Sequence, residues 1–249
     1  MAVDVRARQN AFNTTLRLRP GSSDIETFAQ IFLYAHYRTH HMARHADIVA
    51  YYESCAKPLV LDLGANIGLS TLYFAKNWPR ATIVGVEPEE RNHALFCQNS
   101  AGQEQIVPLR GAIASRPGHA RVIDPGEAEW GYRTELDAGN SSGLAALSVT
   151  ELLDRYSDCE PFICKIDIEG AERELFSANT QWVARFPIVI IELHDWLFPG
   201  DGSSANFLRT IAAMDRDFIP SGENIFSISN RMGTANRPKA GDAHAGIGA

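Results

Sequence analysis

The sequence predicts an α/β fold in which a mostly parallel sheet carries helices on both faces. Three observations predict it. Val60-Leu61-Asp62-Leu63-Gly64-Ala65-Asn66-Ile67-Gly68 reads as a short apolar strand that runs into two glycines and then into an amphipathic helix. From Pro58 onward, short aliphatic runs alternate with helical patterns, as a sheet built from crossover units requires. A chain of 249 residues with 45% hydrophobic content is also long enough to bury one large core.

Taken in order, residues 13–18 alternate enough for a short strand, ended by Pro20 and Gly21. Ser23-Asp24-Ile25-Glu26 has the form of a capping box, so a helix should start there, with Ile25, Phe28, Phe32 and Ala35 facing inward. A second helix is expected over residues 40–52. Residues 1–57 thus form an N-terminal helical cap, which either covers the sheet structurally or closes over a cleft as a lid. After the first sheet strand, further strands are expected at 81–86, 105–109, 162–167 and 188–193, with helices at 69–76, 88–100, 150–156 and 171–183. Residues 115–147 break the rhythm and suggest a hairpin or long loop around Trp130-Gly131-Tyr132. A helix near 206–214 and weaker strands near Phe218 and Ile225 complete a domain over residues 58–229. The Gly/Ala-rich tail, 230–249, has little to bury and is expected to be mobile.

Composition excludes several classes of partner. A net charge of -7 without a basic block argues against nucleic acid. No apolar run approaches the roughly 20 residues of a membrane span, and the polar N-terminus is no signal peptide, so a cytoplasmic protein without a membrane partner is expected. Cys55, Cys97, Cys159 and Cys164 lack CxxC spacing and read as reduced thiols rather than a zinc site or a disulfide framework. His36, His40, His41 and His45 contain i,i+4 pairs that a metal could use, but surface histidines are common and no metal is expected there. Asp167 with Glu192 or Asp195, as oxygen ligands for magnesium, is the lesser alternative. The sequence leaves the oligomeric state open.

In such a sheet, ligands bind at the carboxyl ends of the strands. Gly64 and Gly68 allow a tight turn, and the helix behind it offers N–H groups to an anionic group, either phosphate or carboxylate. Glu87, ending the next strand, can accept hydrogen bonds from both ribose hydroxyls of an adenosine-bearing cofactor; a solvated strand end is the bland reading. A dinucleotide turn would read G-x-G-x-x-G, whereas G-A-N-I-G places Asn66 where the middle glycine would stand, with Asp62 upstream. That favours a cofactor with no diphosphate and an amino-acid end, as S-adenosylmethionine has.

The turn, Val86-Glu87-Pro88, Lys165-Ile166-Asp167-Ile168-Glu169-Gly170-Ala171-Glu172 and Ile191-Glu192-Leu193-His194 together resemble the FkbM family of S-adenosylmethionine-dependent methyltransferases, over roughly residues 16–228. The resemblance implies a Rossmann-like class I methyltransferase sheet with a final antiparallel strand. It also implies O-methylation of a hydroxyl on a sugar or a natural-product-like small molecule. By the same resemblance the first turn would hold the methionine end, Glu87 the ribose, and Gly111-Ala112 the adenine, although many relatives carry Asn where Gly111 stands. The cofactor set is therefore Asp62, Gly64, Asn66, Gly68, Glu87, Ala112 and Asp167.

Lys165 lies in a strand buried on both faces, so it needs a carboxylate, and Asp62 or Glu192 is the natural partner. Asp167 and Glu169 flank the exit from that strand. A hydroxyl acceptor needs a base, and His194 is the choice, because its unperturbed pKa lies near neutrality; Asp167 or Glu192 would orient it. A structural histidine at a strand end is the bland reading. Tyr34, Tyr37 and His41 combine aromatic bodies with polar tips, as acceptor-binding surfaces do. The alternatives are an NAD-type oxidoreductase on the same sheet and a non-catalytic cofactor-binding protein.

Overall fold

The computed structural model describes residues 3–9, 12–123, 133–136 and 143–232. Trp130, Gly131, Tyr132 and the tail from residue 233 on lie outside the described residues. The chain opens with an antiparallel pair, β1 (Val3–Gln9) and β2 (Phe12–Leu18), followed by α1 (Asp24–Phe28) and α2 (His45–Ser54). Then come β3 (Pro58–Leu63), α3 (Leu69–Asn77), β4 (Thr82–Glu87), α4 (Glu90–Asn99) and β5 (Ile106–Arg110). A side sheet follows, formed by β6 (Ala112–Ala114), β7 (Gly118–Ile123), β8 (Arg133–Leu136) and β9 (Leu144–Ser148). The last part holds α5 (Val149–Arg155), β10 (Glu160–Ile166), α6 (Glu172–Leu175), β11 (Ile188–Glu192), α7 (Ala205–Ala212), β12 (Arg216–Ser221) and β13 (Asn224–Ser229).

The main sheet has seven strands in the order β12-β13-β11-β10-β3-β4-β5. β11, β10, β3, β4 and β5 are mutually parallel, while β13 runs antiparallel to both its neighbours. All six residues of β3 are buried, as its unbroken aliphatic run requires of a strand covered on both faces. The period of two then divides the core. Leu59, Leu61 and Leu63 join Val84, Ile166 and Ile191 under α5, α6 and α7, whereas Val60 faces Ile83, Ile163 and Ile190 under α3 and the N-terminal segment. Leu16, Phe32, Ile48 and Tyr52 belong to that second cluster, so the segment before the sheet is packed into the main core.

Parallel register aligns the strand ends. Val86 pairs with Leu63, Leu63 with Ile166, and Ile166 with Ile191. One residue further on, Glu87, Gly64, Asp167 and Glu192 therefore form a row along the carboxyl edge of the sheet.

Local structure departs from the sequence reading in three places. Ser23 makes no capping hydrogen bond; α1 has only five residues and continues as a π-helical turn, Ala29–Leu33. The second helix begins at His45 rather than near residue 40. The helix expected over residues 171–183 is split into α6 and a 3-10 turn, Thr180–Arg185. Asn179 interrupts it with φ 56°, and its Nδ2 donates to the Ser115 carbonyl at 3.0 Å, a contact 64 positions away that local pattern does not register.

Candidate active site

The turn after β3 is built more tightly than an open anion cradle. Gly64 and Ala65 N–H both donate to the Val86 carbonyl at 3.0 Å, and Asn66 N–H donates to Glu87 Oε2 at 2.9 Å. Glu87 thus accepts from the turn itself, at Asn66 N–H, and the N–H groups left to a ligand are those at the start of α3, as the sequence reading has it. A Cβ on Gly64, at φ 82°, would lie 1.7 Å from the Asp167 carbonyl oxygen, so only glycine lets β3 and β10 diverge here. Gly68, at φ 86°, backs onto the Phe96 ring and lines neither cavity of the site.

Glu87 also accepts from Glu89 N–H at 3.0 Å and Asn92 Nδ2 at 3.3 Å. Burial lifts its pKa to about 7, in spite of the lowering effect of the Glu89 and Asn66 N–H bonds. It lines a narrow cavity of about 60 Å³ with Gly64, Asn66, Gly111, Ile113, Thr134 and Asp167. Ala112 is buried in β6 and lines neither cavity; Gly111 and Ile113 face the narrow one instead. A strand alternates its side chains, so a two-residue stretch could not point both ways.

A larger cavity of about 790 Å³ lies on the other side of the turn, walled by Ser23, Ile25, Glu26 and Gln30 of the N-terminal segment, the β3–α3 turn, and Lys165, Asp167, Glu169, Glu192, Trp196 and Asn224. Tyr37 lines it, whereas Tyr34 and His41 are exposed and do not.

Two buried cations support this wall, Lys165 within it and His194 behind it. Lys165 Nζ donates to the Gly64 carbonyl at 2.7 Å and pairs with Asp62 at 3.2 Å and Asp167 at 3.4 Å. Burial works against its charge, but Asp62 and Asp167 outweigh it and hold its pKa well above the usual value. Asp62 is fully buried, accepts from Ser70 Oγ at 2.6 Å, and lines neither cavity, so its place is as partner of Lys165 rather than in contact with a ligand. Glu192 makes no close pair with Lys165 among the described residues.

His194 is the second cation. Its Nδ1 meets Glu172 Oε1 at 2.9 Å, and its Nε2 faces Glu169 at 3.4 Å and Asp167 and Glu192 at 3.7 Å. Burial lowers its pKa, but the Glu172 hydrogen bond and the charges of Glu172, Asp167 and Glu169 prevail and lift it to about 10. The ring is therefore protonated at neutral pH, is buried, and lines neither cavity. Glu172, at the start of α6, is fully buried and holds the imidazolium, a role sequence reasoning did not find. Burial and Asp167 push the pKa of Glu169 and of Glu192 well up, so both carboxyls retain protons more readily than usual. Glu169 also sits at φ 53° and Asn66 at φ 49°, left-handed backbone that non-glycine residues adopt mainly where the surroundings impose it. Asp167, Glu192 and His194 offer ligand atoms within 4.8 Å of one another, a set able to hold a cation. Asp195 instead accepts Ser204 N–H at 3.4 Å.

Both cavities meet at Gly64, Asn66, Asp167 and Glu169. Asn66 Oδ1, Asp167 Oδ1 and Glu169 Oε2 are buried without a hydrogen-bond partner, and the last two face His194 Nε2 at 3.7 and 3.4 Å. Asn66 Oδ1 is the acceptor left to a ligand, and the ammonium or a hydroxyl of S-adenosylmethionine is a donor that fits it.

A sheet of this order, with the reversed β13 next to its edge, a glycine turn after β3 and an acid after β4, defines a class I methyltransferase. The model for the "Methyltransferase FkbM domain" family matches residues 62–218. The chain belongs to this family of methyltransferase domains, which speaks against the oxidoreductase alternative. It is similar to the hexuronic acid methyltransferase AglP of Haloferax volcanii, 24% identical over 161 residues, covering 63% of this chain and 66% of that protein, just under two thirds of its length. A putative O-methyltransferase from Klebsiella pneumoniae is structurally alike at TM-score 0.42 and 12% identity, covering 85% of this chain and 92% of that one. The Bacillus cereus O-methyltransferase in complex with SAH is alike at TM-score 0.40 and 13% identity, covering 85% and 93%. Among the described residues, no helix is long and apolar enough to cross a membrane.

Proposed function

We propose that this chain methylates a hydroxyl oxygen on a sugar or natural-product-like small molecule in the cytoplasm, without a nucleic-acid or membrane partner. The observation that carries this reading is the position of Asp167, which lines both cavities together with Gly64, Asn66 and Glu169. The narrow cavity beside Glu87 would take the nucleoside, and the larger one the acceptor. At about 60 Å³ the narrow cavity is well below the roughly 300 Å³ of a typical ligand pocket, so Thr134 and the side sheet must draw back on binding.

When bound, the sulfonium supplies the driving force for methyl transfer. The chain's own residues then align and deprotonate. Asn66 and Asp167 hold the amino-acid end, and Glu87 the ribose. The base assigned from sequence, His194, is protonated and set back from the cavity, so its role here is to hold charge and position. Glu192, on the cavity wall with a raised pKa, takes the proton from the hydroxyl, because a base works best when its pKa lies near the working pH. A second reading follows from the spacing of Asp167, Glu192 and His194: a divalent cation there would acidify the hydroxyl directly.

The test is transfer of labelled methyl from S-adenosylmethionine to a panel of polyols and sugars, with and without chelator. Alkali-stable methyl ether, formed equally with chelator present, is expected. Label on a carboxylate or a nitrogen would overturn the hydroxyl assignment, and loss with chelator would select the cation reading.

A further inference from the structure

The wall of the larger cavity opposite the β3–α3 turn has a composition that restricts its ligand. Five carboxylates line the cavity, Glu26, Asp167, Glu169, Glu192 and Glu223, whereas Lys165 is the only lysine and no arginine lines it among the described residues. Lys165 is already committed to the Gly64 carbonyl, Asp62 and Asp167. An anionic ligand would meet no uncommitted Lys or Arg and a surplus of like charge.

The hydrogen-bonding inventory has the same bias. Asn224 is 3% exposed and Ser23 is 6% exposed; both line the cavity, and Asn224 Oδ1 and Ser23 Oγ have no hydrogen-bond partner. Glu223 takes one hydrogen bond from Gln30 Nε2, at 2.9 Å, through Oε2. Carboxylate and amide oxygens only accept, and the Ser23 hydroxyl can accept or donate, so the matching ligand is rich in donors. Beside them Trp196 is 60% exposed and Ile25 56% exposed, both on the cavity wall, and they offer an apolar surface to one face of a flat ligand.

We propose that the acceptor is a neutral or amine-bearing sugar ring, stacked on Trp196 and read through its hydroxyl or ammonium donors by Glu26, Glu223, Asn224 and Ser23, and that this subsite rejects uronates and other anionic sugars. The proposal rests on the reading that the larger cavity receives the acceptor. It separates this chain from a hexuronic acid methyltransferase to which it is similar.

The experiment loads the full chain with S-adenosylhomocysteine, verifies that binding by calorimetry, and measures retention on an array of matched glucosides, glucosaminides and glucuronides. Glucosides or glucosaminides should be retained, with the matched glucuronides at least about tenfold weaker. Trp196→Ala should lower retention about tenfold, as loss of an aromatic anchor does. Glu26→Gln with Glu223→Gln should narrow the gap to the glucuronides. Equal or better retention of glucuronides would overturn the proposal, as would retention of no sugar by protein that binds S-adenosylhomocysteine. Failure to bind S-adenosylhomocysteine would instead remove the cofactor reading beneath it.

Discussion

Lys165, in β10, and His194, just past the end of the neighbouring β11, are both buried cations at the carboxyl edge of the sheet, and both face Asp167. Their surroundings differ. Lys165 is closed off: the Gly64 carbonyl and two carboxylates take up its ammonium, Ser70 donates to Asp62 Oδ2, and Asp62 Oδ1, without a hydrogen bond, faces the ammonium at 3.2 Å. His194 is satisfied on one edge only, by Glu172, while three carboxylates crowd its Nε2 at 3.4–3.7 Å and two of them have an oxygen with no hydrogen-bond partner. A closed cluster fixes structure, because each charge has its counterpart. An unbalanced one keeps protons and unmet acceptors next to a cavity, as proton transfer and ligand binding need. The contrast separates scaffold from chemistry better than burial does, since both cations are buried.

The largest effect should come from the closed cluster. Lys165→Met should destabilise the protein by about 3–5 kcal/mol in urea unfolding, because Asp62 is left buried and unpaired; wild-type stability would mean that Lys165 is no structural element. Next comes the open cluster. Glu192→Gln should keep its unfolding midpoint close to wild type and lose about 10²–10⁴-fold in turnover, and a normal rate with a lowered midpoint would reverse the contrast. Glu87→Ala should weaken S-adenosylmethionine binding by about 1–3 kcal/mol by calorimetry, the usual worth of hydrogen bonds to a charged group; unchanged affinity would take Glu87 out of the site.

The smallest effect is a pH dependence. The folded pKa of His194 is raised to about 10 from an ordinary value of 6.5, so its contribution is fully present below about pH 6.5 and is lost as pH rises through about 10. The stability difference between wild type and His194→Gln should shrink across that window, by roughly 1–3 kcal/mol. A difference that grows with pH would mean that the ring is buried neutral, and would restore it as a candidate base.

Much of this site was legible in the chain. Gly64, Glu87, Asp167 and Glu192 each end a short aliphatic run, and parallel register alone puts such ends in a row. Lys165 in a doubly buried strand demanded a carboxylate, and one of the two candidates named, Asp62, is opposite it in register. Less legible were residues whose role depends on distant partners. Glu172 meets a histidine 22 positions away, and Asn179 breaks a helix to reach a carbonyl 64 positions away. Ser23, Trp196, Glu223 and Asn224, brought to one cavity from opposite ends of the chain, have no shared spacing to read.

The sequence by itself determined the strands, the glycine turn and the acids at the strand ends, because backbone sterics and a period of two act over a few residues. Only the tertiary structure decided the protonation of His194, the occupation of the turn's N–H groups by the Val86 carbonyl and Glu87, and the excess of acceptors over cations in the larger cavity. Those depend on how many charges and donors converge within about 4 Å, and Coulomb and hydrogen-bond energies are set by distance in space, not by separation along the chain.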